Sequence, residues 1–406
     1  MNDGDLPIRH KGSDGRGGEE TVIQQVIVYD NIGWQKWPGT NDRDFSDICA
    51  QRDVSPASYE WEGHKFRVES RFLPAYKAFV DAGEDPPLTY QWIDNTKPPS
   101  QRVIDAMVAL LEEYAKECPV ILWDHALNCY PSVAQHLRRL FRLALLAFAD
   151  DCPGSSEIKT FPVAEHFDAL YYQMKVWDFK TGVLTADKYR EIAPGLKLYH
   201  KGQNESAGLF EGLANILFDV NDKVSLLRRG VYPAIDVAFV GYRGWFWRKE
   251  FCDGLNAMDD GGLTVRLHGT DMRHGELDGR WAPNPGLQVG KLYANSLFGP
   301  NPQVSSIFNG RLMDLWRCGV VQLIHDPYNE LVDEGFEPWV HYVPFDGTAD
   351  DAMRLVHELK PQKDKLADMI HAAAVKVSEY QTIKSTNAVY ARIYGEHMDQ
   401  IENGRK

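Results

Sequence analysis

The stretch "KPPSQRVIDAMVALLEEYAKECPVILWDH", Lys97 to His125, constrains the fold more than any other. Ser100 stands just ahead of apolar residues at helical spacing, Val103, Ile104, Met107, Leu110, Leu111 and Tyr114, and so reads as the N-cap of a helix buried along one face. Pro119 cannot continue that helix, and "VILWD" follows as a short, nearly continuous apolar run, the pattern of a strand covered on both faces. Upstream, the β-branched "VIQQVIVYD" ends at Asp30 and enters the turn-rich "NIGWQKWPGT". Strands alternating with helices build a parallel sheet with helical crossovers, and such sheets bind ligands outside the carboxyl ends of their strands. Asp30, Asp94 in "LTYQWIDN", and Asp124 with His125 occupy those ends, facing one crevice.

The same unit starts again in "YPAIDVAFVGYRGWFWRKEFCDGL", where the run Ile235 to Val240 meets Gly241, a basic loop and a helix. "LTVRLHGTD" repeats the strand-then-glycine pattern at Gly269. A chain of 406 residues exceeds one ordinary core. The expected division is a disordered, Gly-rich lead at 1–20, a Rossmann-like domain at 21–227, a second at 228–360, and terminal helices at 361–406 packing back on the first. Those helices are read from Leu366, Met369, Ile370, Ala373, Val375 and Val377. "HLRRLFRLAL" reads as an amphipathic helix with a basic face. No tandem repeat supports a solenoid.

A formal charge of -14 repels phosphate backbones at long range and sets aside general nucleic-acid binding. Six cysteines, Cys49, Cys118, Cys129, Cys152, Cys252 and Cys318, show no C-x-x-C spacing, so they read as reduced thiols rather than disulfides or zinc ligands, and the setting as cytoplasmic. No apolar run reaches a membrane span or a signal core.

In "FVGYRGWFWRKE", Gly241 permits close approach of a ligand to the chain, while Arg243, Arg248 and Lys249 lie at the start of a helix, an arrangement suited to a diphosphate. The spacing is not that of a dinucleotide fingerprint. Trp34 and Trp37 in "GWQKWPG", and Trp245, Phe246 and Trp247, have faces that can stack on a sugar or base or pack between domains. In "NGRLMDLWRCGVVQLIHD" a helix from Arg311 to Arg317 buries Leu312, Leu315 and Trp316 and ends at Gly319. Arg311 falls in its first turn, where the helix dipole disfavours a cation and an anionic ligand would offset the placement. Asp314, one turn on, shares a face with Arg311, and an ion pair is the simplest structural account.

The order Asn309, Arg311, Asp314, Cys318, Gly319, Asp326 within Tyr293 to Asp346 resembles the C-terminal half of GT-B-fold glycosyltransferases, particularly the spore-maturation-protein-like group. The resemblance implies an α/β architecture of two Rossmann-like domains with parallel sheets facing an interdomain cleft, plus C-terminal helices. It implies that Arg311, Asn309 and the "VGYRG" loop meet a donor diphosphate, with His268 nearby, and that Asp314, where the family usually has glutamate, meets the ribose hydroxyls. The glutamate pair of the retaining enzymes is absent, since Ser306 stands eight residues before Asp314.

The function expected is transfer of a sugar from a nucleoside-diphosphate sugar, UDP-glucose being the commonest guess, to an acceptor hydroxyl. Inversion requires a base, for which Asp94, Asp30, Asp124 and His125 are candidates, and Trp34 and Trp37 lie on the acceptor side. No metal-ligand cluster stands in the sequence, and the resemblance implies no cofactor beyond the donor as co-substrate. The acceptor is open among a small molecule, a glycan, a protein and a hydroxymethylated base in phage DNA. A non-catalytic GT-B-fold binding protein and a nucleotide-sugar epimerase are the alternatives.

Overall fold

The computed structural model describes residues 21–29, 57–61, 63–72, 78, 81–84, 99–124, 129–148, 161–172, 175–178, 181–200, 220–241, 248–259, 261–269, 272–275, 285–302, 310–383 and 386–405. The apolar runs of the first half become strands β1 (Thr21–Tyr29), β2 (Ala57–Trp61), β3 (His64–Phe72), β4 (Val120–Asp124), β5 (Leu143–Phe148), β6 (Ala169–Tyr172) and β9 (Lys197–His200), with the small hairpin β7 (Val176–Asp178) and β8 (Val183–Leu184) beside them. The large sheet runs β2-β3-β1-β4-β5-β6-β9, parallel except for β2. Helix α1 (Gln101–Ala115) starts where Ser100 accepts the Val103 N–H, and it buries Val103, Ile104, Met107 and Leu111. "HLRRLFRLAL" is not an amphipathic helix. It gives one turn at Leu137–Leu140 and then enters β5, because "LALLAF" lies inside the sheet and is apolar on both faces.

The second half forms an all-parallel sheet, β11-β10-β12-β13-β14, from β10 (Ile235–Val240), β11 (Val265–His268), β12 (Ser296–Asn301), β13 (Val321–Ile324) and β14 (Val343–Pro344). Its helices are α2 (Val220–Arg228), ahead of β10, then α3 (Arg248–Ala257), α4 (Pro285–Ala294), α5 (Gly310–Arg317) and α6 (Ala349–Leu359). Helix α5 ends in a left-handed Gly319 at φ 61°, with Gly319 N–H bonded to Trp316 O and Val320 N–H to Leu315 O, each at 2.9 Å.

Three helices close the chain, α7 (Lys363–Ile383), α8 (Thr386–Glu396) and α9 (Met398–Asn403). Leu366, Met369, Ile370, Ala373 and Val377 are buried as their spacing implies, whereas Val375 is exposed, since α7 packs on α2 and α5 with one face only. Helix α8 lies on the first sheet: Val389, Tyr390, Ile393 and Tyr394 join one core with Ile23, Phe66, Val68, Leu122 and Leu145. Among the described residues no helix is long and apolar enough to cross a membrane.

Tyr394 is fully buried, its hydroxyl donates to Oε1 of the buried Gln25 side chain on β1, and its ring meets Tyr59 at 5.9 Å and Tyr390 at 6.1 Å. Tyr394→Ala is expected to cost about 3–5 kcal/mol of stability, read as a lower urea midpoint. A change under about 1 kcal/mol would show that the terminal helices are not integral to the first sheet.

Candidate functional site

In the second sheet β10 leads by a helix to β11 on one side, while β12, β13 and β14 build outward on the other. The order reverses between β10 and β12, so their carboxyl ends flank the crevice where ligands of open parallel sheets bind. Arg311, from the first turn of α5, spans that point. Its Nη1 donates to Val240 O at the end of β10 (3.1 Å), its Nη2 donates to Asn301 Oδ1 at the end of β12, and its guanidinium lies 5.1 Å from the Phe239 ring.

Gly241 favours this arrangement, because a Cβ there would come to 3.0 Å from both Arg311 Nη1 and the Phe239 ring, so both would have to give way. The end of β11 is drawn in equally closely. Gly269, at φ 142°, lies so near that a Cβ would fall 2.0 Å from Gly241 O, and Gly241 N–H donates to His268 O at 3.0 Å. Burial, aided by His274, pushes the His268 imidazole below its ordinary pKa, so it is neutral at pH 7.

The expected ion pair between Arg311 and Asp314 does not form, because Arg311 reaches out over the strand ends while Asp314 is buried beneath. Burial raises the Asp314 carboxyl to about 7, with Arg317 opposing the shift. Burial pushes the Tyr293 hydroxyl up, with the Arg311 cation opposing the shift and the Asp314 carboxylate adding to it.

Four buried polar atoms here have no hydrogen-bond partner: Arg311 Nε, Asn301 Nδ2, Asp314 Oδ1 and His268 Nδ1. Three of them, on Arg311, Asn301 and His268, sit at or against the carboxyl ends of β10, β12 and β11, an arrangement that fits a site a polar ligand completes. Asn301 was not anticipated from sequence, although an asparagine ending the apolar run "SLFGPN" is its signal.

Lys249 lies apart, on the surface of α3, paired with Asp253 at 2.9 Å, and Arg248 is half-buried at the start of that helix. Arg243, Asn309, Asp30, Asp94, His125, Trp34, Trp37, Trp245, Phe246 and Trp247 lie outside the described residues. Asp124 ends β4 in register with Tyr29, the last residue of β1. Beside the Arg311 site a cavity of about 550 Å³ lies over the ends of β12, β13 and β14, lined by Pro302, His325, Tyr328 and Asp346 among others. Among the described residues no group of three or more His, Cys, Asp or Glu side chains could hold a metal ion.

Residues 248–389 match the family model described as "Glycosyl transferase-like". No curated protein sequence matches the chain. Among solved structures, a glycosyltransferase from Rickettsia africae aligns with a TM-score of 0.52 at 9% identity, over 96% of this chain and 100% of that one. Sucrose-phosphate synthase from Thermosynechococcus elongatus aligns with a TM-score of 0.50 at 11% identity, over 93% and 99%. HepE from Anabaena, in complex with UDP and glucose, aligns with a TM-score of 0.50 at 13% identity, again over 93% and 99%. At such identities the shared property is the two-domain GT-B fold. Residues 248–389 are thus glycosyl transferase-like, and they lie within a chain of GT-B fold.

Proposed function

We propose that the protein transfers a sugar from a nucleoside-diphosphate sugar, held at the carboxyl edge of the second sheet, to an acceptor hydroxyl presented from the first. The observation that carries this is Arg311 fixed across the crevice between β10 and β12, at the positive end of α5, with orphaned polar atoms around it. A diphosphate leaving group needs a preorganised cation, and the placement of Arg311 in the first turn of α5 supports that reading. Arg311, Gly241, Asn309, Arg243, Arg248, Lys249 and His268 are assigned to the donor, and Asp314 to its ribose. UDP is the favoured nucleotide because HepE, a structural neighbour, holds UDP and glucose.

The base is proposed to come from Asp94, Asp30, Asp124 or His125, at or beyond the carboxyl edge of the first sheet, with Trp34 and Trp37 beside the acceptor. The division into an acceptor-side domain at 21–227 and a donor-side domain at 228–360 belongs to the same proposal, as does a cytoplasmic setting.

A calorimetric and thermal-shift screen of UDP-, GDP- and dTDP-sugars tests the donor assignment. One nucleotide class is expected to raise the melting temperature with occupancy. Arg311→Ala should weaken that binding by about tenfold or more, the worth of a charged hydrogen bond. Undiminished affinity in a folded Arg311→Ala protein would remove Arg311 from the site.

Asp314 generates a second prediction. Its folded pKa of about 7 lies above the ordinary 3.8, so its contribution to stability is fully present below 3.8 and is lost as pH rises to about 7. Over that window Asp314 should shift the unfolding equilibrium by up to about tenfold per pH unit, a slope missing in Asp314→Asn. Ribose hydroxyls donate to the ionised form, so nucleotide affinity should rise with pH through 7 in the wild type and stay flat in Asp314→Asn. Parallel affinity profiles for the two proteins would dissociate Asp314 from the ribose.

A further inference from the structure

Beyond the donor site, the two sheets touch through a compact segment that the mechanism above does not use. Strand β13 runs into His325 and Asp326, and both carboxylate oxygens of Asp326 accept backbone N–H groups, from Glu330 and Leu331 at 2.9 Å each. This holds the single turn Glu330–Asp333, entered through Asn329 in a left-handed conformation at φ 55°. A non-glycine residue in that region is strained and persists only where its surroundings enforce it.

The turn faces the other domain. Asp333 pairs with Lys175, which lies between β6 and β7, at 2.7 Å. Glu334 Oε1 lies 3.3 Å from Nδ1 of His200, the last residue of β9, and both side chains are mostly buried. Tyr328 seats its ring on Gly182, in the β7–β8 turn, where φ is 74° and a Cβ would fall 2.7 Å from the ring. The receiving hairpin is itself rigid, since Trp177 stacks on Phe161 at 4.8 Å and Thr185 N–H donates to Lys175 O at 2.9 Å.

We infer that Asp326–Glu334 is a clamp, fastened to β13 by Asp326, that closes one end of the cleft by docking Tyr328, Asp333 and Glu334 on Gly182, Lys175 and His200. Among the described residues, the contact includes the Lys175–Asp333 ion pair, exposed on its Asp333 side, the mostly buried Glu334–His200 pair, and the Tyr328 ring on Gly182. An ion pair with an exposed partner is individually weak, and relative domain motion of the kind that ligand exchange in an interdomain cleft requires would part it. Asp326 serves as a positioning residue, since without it two N–H groups of the turn lose their acceptors and Asp333 and Glu334 lose their aim.

The test uses charge reversal in the full chain without ligand. Lys175→Glu sets like charges against Asp333. It is expected to increase the solution radius of gyration by X-ray scattering and to speed amide exchange in 176–184 by about tenfold, equivalent to 1.4 kcal/mol. Adding Asp333→Lys restores an opposite-charge pair and should return both readouts to wild-type values. Unchanged compactness in Lys175→Glu, or expansion that the second substitution does not reverse, overturns the clamp. Neither readout involves a nucleotide, so failure here is separable from failure of the donor assignment.

Discussion

The hydrogen bonds from Arg311 to Val240 O and Asn301 Oδ1 are the constraint on which the rest of the second domain's carboxyl edge depends. A guanidinium has donors in a fixed plane, so accepting it at the ends of the paired strands β10 and β12 fixes the direction from which α5 approaches them. The neighbouring glycines follow from the same geometry. Gly241 leaves room for the guanidinium and Gly269 brings β11 against Gly241, so three strand ends converge on one cation.

A chain of net charge -14 can still hold a diphosphate if a local cation is not cancelled by its neighbours. Asp314 is the nearest threat, one helical turn from Arg311. Burial raises its carboxyl to about 7, so near neutral pH much of it is protonated. The same burial that leaves Asp314 Oδ1 unpaired thus preserves the positive character of the Arg311 end of α5. On the donor-binding reading, ionisation of Asp314 becomes favourable when ribose hydroxyls supply the missing hydrogen bonds.

Local chemistry was legible in the sequence wherever a residue acts within its own segment. Ser100 caps α1, Gly319 ends α5, and the inner strands β4 and β10 stand out as apolar runs. Where burial on two faces produces a run without periodicity, local reading fails, as in "HLRRLFRLAL", whose second half is β5. Val375 shows the converse error, an apolar residue near the correct spacing that the partners of α7 never cover. The site was legible in residue type but not in partnership. Arg311 was marked by its unfavourable place in the helix dipole, yet its acceptors are 71 and 10 residues away in sequence, and only the strand order brings them together. The ion pair with Asp314, one turn away, was the wrong inference because it weighed local spacing above tertiary reach.

Strand β13 joins these features mechanically. Buried Gln322 donates to Leu312 O at 2.7 Å and so fastens α5 to β13, and the same strand runs on through His325 to Asp326 and the clamp. The bonds from Arg311 to Val240 O and Asn301 and from Gln322 to α5 lie within one domain, whereas Asp333, Glu334 and Tyr328 contact the other. Opening at the clamp therefore moves the donor-side domain as a body and leaves the crevice between β10 and β12 intact. Intrinsic donor affinity and the rate of cleft opening are thus set by different residues, one group within the donor-side domain, the other at its contact with the first.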